Sequence, residues 1–396
     1  MPVSLNPSDL RGQVAVVGAS ALASPDGMLS GSIRGLEARA IRAALADAGL
    51  TLADVDGLAA VTGGMHPAME LAEYLGIAPV WLDSTDIGGS SFETHVAHAA
   101  AALAFGLCNV AVVTYCNTPR SARKRGETLV IGRSAGVTPI SEWESSYGPL
   151  RPVSSYALAA SRHFAEYGTT SQQLAQIAVD TRRWAEMNPD AFRQAPLTLD
   201  EVMASPVDAS PLHRLDCCLV TDGAGAIVLT RADRARSLAK PPVYVLGLGT
   251  CTTHEMISEM PDLTRTGGIR SGELAYAMAG LGPAEIDVRE LYDSFTITVL
   301  LALEDLGFCK KGEGGPLAAS GALGPGGSLP TNTSGGGLSY THPGMFGLFL
   351  IVESVRQLRG ESGPRQVPGA STAIAHGCGM VLSSVSTLIL GTGATL

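Results

Sequence analysis

Ala48-Gly-Leu-Thr-Leu-Ala-Asp-Val-Asp56 and Ala279-Gly-Leu-Gly-Pro-Ala-Glu-Ile-Asp287 align without a gap, 231 residues apart. Each reads as a helix end, a glycine stop, an acidic turn and a new strand, which makes the chain two copies of one α/β unit. Working outward, Val14 to Val17 is a short buried strand ending at Gly18, and Ser32 to Leu50 carries apolar residues at helical spacing up to its stop at Gly49. Gly57 to Val61, the helical run Phe92 to Phe105 and the apolar Val110 to Val113 continue the alternation. That grammar predicts α/β layers around a mostly parallel sheet covered on both faces. A helix ending at Gly106 before a Val-rich strand is echoed by one ending at Gly360 before Ala370 to His376.

Between Asn117 and Pro211 the texture becomes polar and Pro-punctuated, with amphipathic helices over Tyr156 to Tyr167 and Ser171 to Met187. This stretch is an excursion from the core. Gly223 to Thr230 is again strand-like, and Arg231 to Pro242 is a connector to the second copy. The expected division is a first half over 1–240, with its inserted loop domain at about 117–211, and a second half over 241–396.

Among the 396 residues, 45% are hydrophobic and 16% charged, enough apolar mass for a large core and too little charge for a disordered chain. The net charge of −10, with no long Lys/Arg run, argues against nucleic acid as a partner. Seven scattered cysteines form neither a disulfide framework nor paired zinc knuckles, so a reducing cytoplasm is expected. No signal-peptide pattern opens the chain, and no apolar run reaches the ~18 residues of a membrane span. Phosphate-loop patterns are absent, and the eight histidines show no metal-binding spacing, so no metal site is expected.

The chemistry-bearing segments lie in the second half. Glu290-Leu-Tyr-Asp-Ser-Phe295 follows the repeated turn, which puts Tyr292 at or just past a strand end, where α/β proteins place ligands. Asn332-Thr-Ser-Gly-Gly-Gly-Leu-Ser-Tyr-Thr-His-Pro-Gly344 is a polar, Gly-rich loop running into an apolar helix, Phe346 to Leu358. Backbone amides around Gly336 and Gly337 could approach an anionic oxygen, with Tyr340 and His342 near the helix mouth. Ala375-His-Gly-Cys-Gly-Met380 reads as a strand terminus turning through two glycines, and it carries His376 and Cys378.

Together with Asp216-Cys-Cys-Leu-Val-Thr-Asp-Gly-Ala-Gly-Ala226, these motifs resemble the thiolase superfamily, in particular its sterol-carrier-protein-type branch, over essentially the whole chain. The resemblance implies a five-layered αβαβα fold of two similar halves, a loop domain inserted in the first, and acyl-CoA as the ligand class. Thiolases carry a nucleophilic cysteine in a Cys-x-x-Gly-Ser-Ser setting, and here that stretch is Asp86-Ile-Gly-Gly-Ser-Ser91. Asp86 therefore stands in the nucleophile's place, where a carboxylate cannot replace a thiolate in acyl transfer. Read without the resemblance, Asp86 is a turn or cap carboxylate for a helix beginning near Ser90. His376 falls near the family's second cysteine, with Cys378 two residues on, and His342 matches the family's Gly-His-Pro-type histidine.

That pattern is similar to the thiolase-like aldolases of bacterial steroid side-chain degradation, sometimes labelled lipid-transfer proteins. The likeness implies retro-aldol cleavage of a β-hydroxyacyl-CoA to a ketone and a shortened acyl-CoA, with Tyr292 and Tyr340 as the acid/base pair and His342 and His376 in support. Asp86, Gly336, Gly337 and Cys378 would contact substrate. CoA would enter as part of the substrate, with no separate cofactor. A homodimer and an OB-fold/zinc-ribbon partner completing a heterotetramer are further implications. Two alternatives stay open: an acyltransferase using Cys378 or Ser90, and a non-catalytic acyl-CoA or sterol carrier.

Overall fold

The computed structural model describes residues 7–127, 139–148 and 152–396; positions 128–138 and 149–151 of the expected loop domain, and the first six residues, lie outside the described residues. Val14-Ala-Val-Val17 is buried on both faces and opens strand β1 (Val14–Leu22). The strand does not stop at Gly18: that glycine lies inside it, where a Cβ would sit 2.0 Å from the Ala44 carbonyl oxygen of the helix above. That helix, α1 (Ile33–Ala48), is capped by Ser32, whose side chain accepts from the Gly35 amide, and ends at Gly49 with φ 73°.

Strand β2 (Gly57–Ala60), helix α2 (Pro67–Leu75), strand β3 (Trp81–Asp83), helix α3 (Ser91–Ala104) and strand β4 (Val110–Asn117) complete the first unit. The excursion holds α4 (Pro119–Lys124), α5 (Pro139–Ser145), α6 (Val153–Tyr167), α7 (Ser171–Ala185), α8 (Leu199–Ala204) and the small pair β5 (Val207–Ala209) and β6 (Leu212–His213). Strand β7 (Gly223–Arg231) returns to the core, and α9 (Ala232–Ala235) leads to β8 (Val243–Thr252). Then follow α10 (Gly268–Ala279), β9 (Val288–Leu291), α11 (Thr296–Asp305), α12 (Gly314–Ala319), α13 (Gly347–Arg359), β10 (Thr372–Gly379) and β11 (Ser384–Gly391). The repeat recurs in the caps, since α10 also ends on a left-handed glycine, Gly280 at φ 63°.

The strands run in the order β3-β2-β4-β7-β1-β8-β11-β10-β9. Two half-sheets meet where Ala15 and Val16 of β1 pair with Tyr244 and Val243 of β8. The expectation of a mostly parallel sheet is corrected: only β2·β3, β2·β4 and β9·β10 are parallel, while β4·β7, β1·β7, β1·β8, β8·β11 and β10·β11 are antiparallel. Helical crossovers give parallel neighbours, whereas the short turn between β10 and β11 can only return the chain antiparallel. Helix α1 packs on the first half-sheet and α10 on the second, while α3 and α13 lie between the halves, touching both and each other. This is the helix–sheet–helix–sheet–helix layering that the resemblance implied. Among the described residues no helix is long and apolar enough to cross a membrane.

The central layer is tight. A Cβ on Gly89, just before α3, would lie 2.3 Å from Cε2 of Tyr292 and 2.4 Å from the Cys378 carbonyl oxygen. Glu93, on the first turn of α3, presses its carboxyl against Gly377 of β10, and neither of its oxygens has a hydrogen-bond partner among the described residues. Burial lifts that carboxyl to about 8.

Two outcomes follow. Gly89→Ala should cost about 3 kcal/mol, because backbone stands on one side and a buried ring on the other, and a lower urea midpoint would register it. A carboxyl whose folded pKa is raised contributes stability that is complete below its unfolded value and is lost as pH rises through about 8. Gln does not titrate, so the thermal stability of Glu93→Gln relative to the parent should climb between pH 5 and 8 and level off above; a constant difference would contradict it.

Candidate active site

Strand β9 ends at Leu291, and the next residue, Tyr292, donates its amide to the His376 carbonyl at 2.9 Å. The Gly-rich loop lies alongside: the Asn332 amide donates to Arg289 O at 2.8 Å, and Asn332 Oδ1 accepts the Leu291 amide at 2.7 Å. The root of the loop is held by a buried network. The Thr333 amide donates to Glu290 Oε1, and its hydroxyl donates to Glu353 of α13, which is paired in a fork with Arg365.

Gly336 to Tyr340 then form a π-helical turn. The amides of Gly337 and Leu338 do meet an anionic oxygen, but it is the protein's own: they donate to Asp293 Oδ1 and Oδ2 at 2.6 and 3.1 Å. Glycine is required at 336 because its φ is +56° and a Cβ there would fall 2.1 Å from Asp293 Oδ2. Asp293 is fully buried, and burial raises its carboxyl to about 7 against the pull of the two amides. Gly336 and Gly337 are thus occupied in holding a side chain; no free anion cradle remains on those amides.

The segment following Asp216 forms the back of the site. Cys218 and Leu219 amides donate to Ser294 O and Gly337 O, both at 2.9 Å, and Thr221 Oγ1 accepts the His342 amide at 2.8 Å. Tyr115 of β4 donates its hydroxyl to Pro343 O at 2.8 Å. His342 is thereby fixed with Nε2 3.2 Å from the Tyr292 hydroxyl, whose oxygen also accepts the Phe346 amide, at the entrance to α13, at 3.1 Å. In the tautomer of His342 that carries its proton on Nδ1, the phenol donates to Nε2. Burial holds the His342 imidazole down to about 4, so it is neutral at pH 7. Burial first, and then Cys218, Tyr156, Cys378 and Tyr115 nearby, lift the Tyr292 phenol well above its ordinary value.

Of the sequence-nominated residues, Tyr292, His342 and Cys378 gather at one place. Cys378 is buried, its thiol pushed up to about 12, so it offers no resting thiolate. Ser90 is buried and hydrogen-bonded to Ser384 and Ile87, with no imidazole beside it in those bonds. Asp86 stands exposed at the turn before α3, accepting the Gly88 amide at 3.2 Å, as its turn-carboxylate reading expects. His376 points elsewhere: its ring lies near Gly268 at the α10 entrance, and Nδ1 is 2.9 Å from Oγ1 of Thr387 on the paired strand β11. The glycines flanking Cys378 do not turn the chain, since β10 continues through Gly379; they admit Glu93 and the Ile87 carbonyl of the α3 entrance. Tyr340 packs edge-on against Phe349, and no hydrogen bond or ring contact joins it to Tyr292 or His342. Its buried hydroxyl has no partner among the described residues and senses Arg356 and Asp190.

Tyr156 of α6 is a site residue that the sequence did not reveal. Its ring stacks 4.3 Å from Phe295, its hydroxyl donates to Met380 O at 2.8 Å, and its phenol lies close enough to Tyr292 and Cys378 to raise their proton affinities or be raised by them. Thr221 and Asp293 sit inside the quoted motifs, but only as letters beside the nominated residues. Among the described residues no three His, Cys, Asp or Glu side chains gather as a metal site.

The chain is similar to known proteins over most of its length. Residues 249–392 match the family model of the thiolase C-terminal domain. An acetyl-CoA acetyltransferase of Methanothermobacter thermautotrophicus is 36% identical over 359 residues, covering 88% of this chain and 91% of that protein. A 17-hydroxy-3-oxo-4-pregnene-20-carboxyl-CoA lyase of Mycobacterium tuberculosis is 37% identical over 366 residues, covering 89% and 93%. Among solved structures, an Ltp2-ChsH2(DUF35) aldolase superposes with a TM-score of 0.88 at 33% identity, over 98% of this chain and all of that one. With a two-half layered fold and relatives of this kind matched over most of their length, the chain belongs to the thiolase superfamily, in its sterol-carrier-protein-type branch together with the steroid side-chain aldolases.

Proposed function

We propose that the chain is a carbon–carbon lyase that cleaves a β-hydroxyacyl-CoA by retro-aldol chemistry, with a 17-hydroxysteroid side-chain thioester as substrate and a ketone and propionyl-CoA as products. The observation that carries this reading is the phenol–imidazole pair, Tyr292 with His342, whose phenol ring stands against Gly89 at the α3 entrance, in the segment that begins with Asp86 where thiolases carry a cysteine. Acyl transfer would need a thiolate there. Retro-aldol cleavage needs only proton movement and a place for enolate charge.

In this reading the Tyr292 oxygen takes the β-hydroxyl proton while its own proton passes to His342 Nε2, so that no free phenolate or resting imidazolium is required. The Cα–Cβ bond breaks, the β carbon becomes the ketone carbonyl, and the bonding pair moves onto the thioester as an enolate. Cα then takes a proton. The second phenol near Tyr292 is Tyr156, which supplies it here and is restored by the proton held on His342, returned through Tyr292. Such positioned proton transfer contributes about 10²- to 10⁴-fold. Tyr340 and His376 receive no proton transfer in this reading, because neither ring contacts the pair.

A homodimer is supported by the open edge at β3, where Val80, Leu82 and nearby Tyr74 are exposed. An OB-fold/zinc-ribbon partner forming a heterotetramer is supported by the two-component name of the structural neighbour; any zinc would belong to that partner.

The decisive assay mixes the chain, with and without such a partner, with the 17-hydroxysteroid β-hydroxyacyl-CoA, and follows ketone and propionyl-CoA by mass spectrometry. Tyr292→Phe should lower kcat by about 10²-fold or more. If Tyr340→Phe rather than Tyr156→Phe removes the remaining proton transfer, the acid is misassigned. Intact-protein mass spectra during turnover should show no acylated chain, and one acyl adduct would restore the transferase alternative. Because His342 accepts a proton only while neutral, the acid limb of kcat should fall near pH 4, not near the ordinary histidine value of about 6.5.

A further inference from the structure

Asp293 is the residue after Tyr292, yet its carboxylate faces away from the reacting groups and into the glycine turn. It donates nothing, accepts the Gly337 and Leu338 amides, and is fully buried. Gly337 is the shared point of contact: a Cβ placed there would be 3.0 Å from Asp293 Oδ1 and 3.1 Å from Cδ2 of the His342 ring. The carboxylate, the Gly337 backbone and the imidazole therefore stand in one row, with Tyr292 fixed at the near end by the peptide bond to Asp293. The other anchors act elsewhere. Thr221 fixes the main chain of His342, and the Glu290–Thr333–Glu353–Arg365 network fixes the root of the loop. Neither sets how close the imidazole ring comes to the Tyr292 oxygen.

We propose that Asp293 is a positioning residue that sets the separation of the Tyr292 oxygen and His342 Nε2 by gripping the turn on which His342 is carried, without touching substrate itself. The proposal rests on the reading of Tyr292 and His342 as the proton-transfer pair. A residue acting only through that distance affects the chemical step and leaves binding alone, and its effect vanishes once His342 is gone.

The test compares the full chain, with its partner protein if turnover needs one, as parent, Asp293→Asn, His342→Ala and the double variant. Asn keeps one acceptor but presents an N–H₂ group to the second amide, so the turn must shift. Asp293→Asn should lower kcat by about 10²-fold, the cost of misplacing a catalytic group by about an ångström, with KM within about threefold. The double variant should be no slower than His342→Ala alone. In ¹⁵N-histidine NMR spectra, the His342 signal of Asp293→Asn should move toward its position in Tyr292→Phe, where the hydroxyl partner is missing. Gly337→Ala, at a residue with ordinary negative φ, gives a second route if Asp293→Asn does not fold, because its methyl group separates the same two neighbours while the carboxylate stays. It should show the same kcat loss and the same loss of additivity. Equal slowing of the parent and the His342→Ala protein by Asp293→Asn, or an unchanged kcat, would overturn the positioning role alone. A His342→Ala protein at full rate would overturn the pair, and the proposal with it.

Discussion

The structure depends on how closely two helices and a strand approach one another at the centre of the molecule. Helices α3 and α13 share the middle layer, and their N-terminal ends come so near that a Cβ on Gly347 would lie 2.3 Å from the Gly89 carbonyl oxygen. Gly377 of β10 closes the third side. Only backbone fits, and what stands at the rim of this contact is the Tyr292 ring, in touch with Gly89 on one side and receiving the Phe346 amide on the other. Two helix N-termini aimed at one phenol give a region of positive potential where the enolate of the proposed reaction would form.

Close packing also explains the protonation states. The side chains of the layer's interior are buried, and that burial is the first cause of the large shifts near the site. It holds Glu93 and Asp293 up to about 8 and 7, and His342 and His376 down to about 4. The thiols of Cys378 and Cys217 are pushed up to about 12. A site made of neutral acids and neutral bases is suited to passing protons through short hydrogen bonds. It is poorly suited to storing a thiolate. The Cys378 thiol beside the Tyr292–His342 pair, held up by burial, offers no resting thiolate for acyl transfer.

Much of the fold was legible in local pattern. The caps at Ser32, Gly49, Gly280 and Gly360, the buried run at Val14, and the aligned segments at Ala48 and Ala279 each report a local preference that tertiary packing reinforced. Strand direction was not legible, because β4, β7 and β1 pair across long excursions whose return path carries no local signal. At the site, Tyr292 and His342 could be named from motifs. The other member of the pocket, Tyr156, could not, since its hydroxyl bond to Met380 spans 224 residues.

By itself the sequence determined the two-fold α/β plan and the family, and its motifs named Tyr292 and His342, because each of these is written in residue identity and short-range spacing. The tertiary structure alone decided which of those residues meet. His376 came to lie by Thr387 at the α10 entrance, the turn held by Asp293 brought His342 to Tyr292, and Tyr340 was left beside Phe349. The physical reason is that a side chain's direction is set by pleat, turn and neighbouring backbone, and these depend on contacts between segments that are distant in the chain.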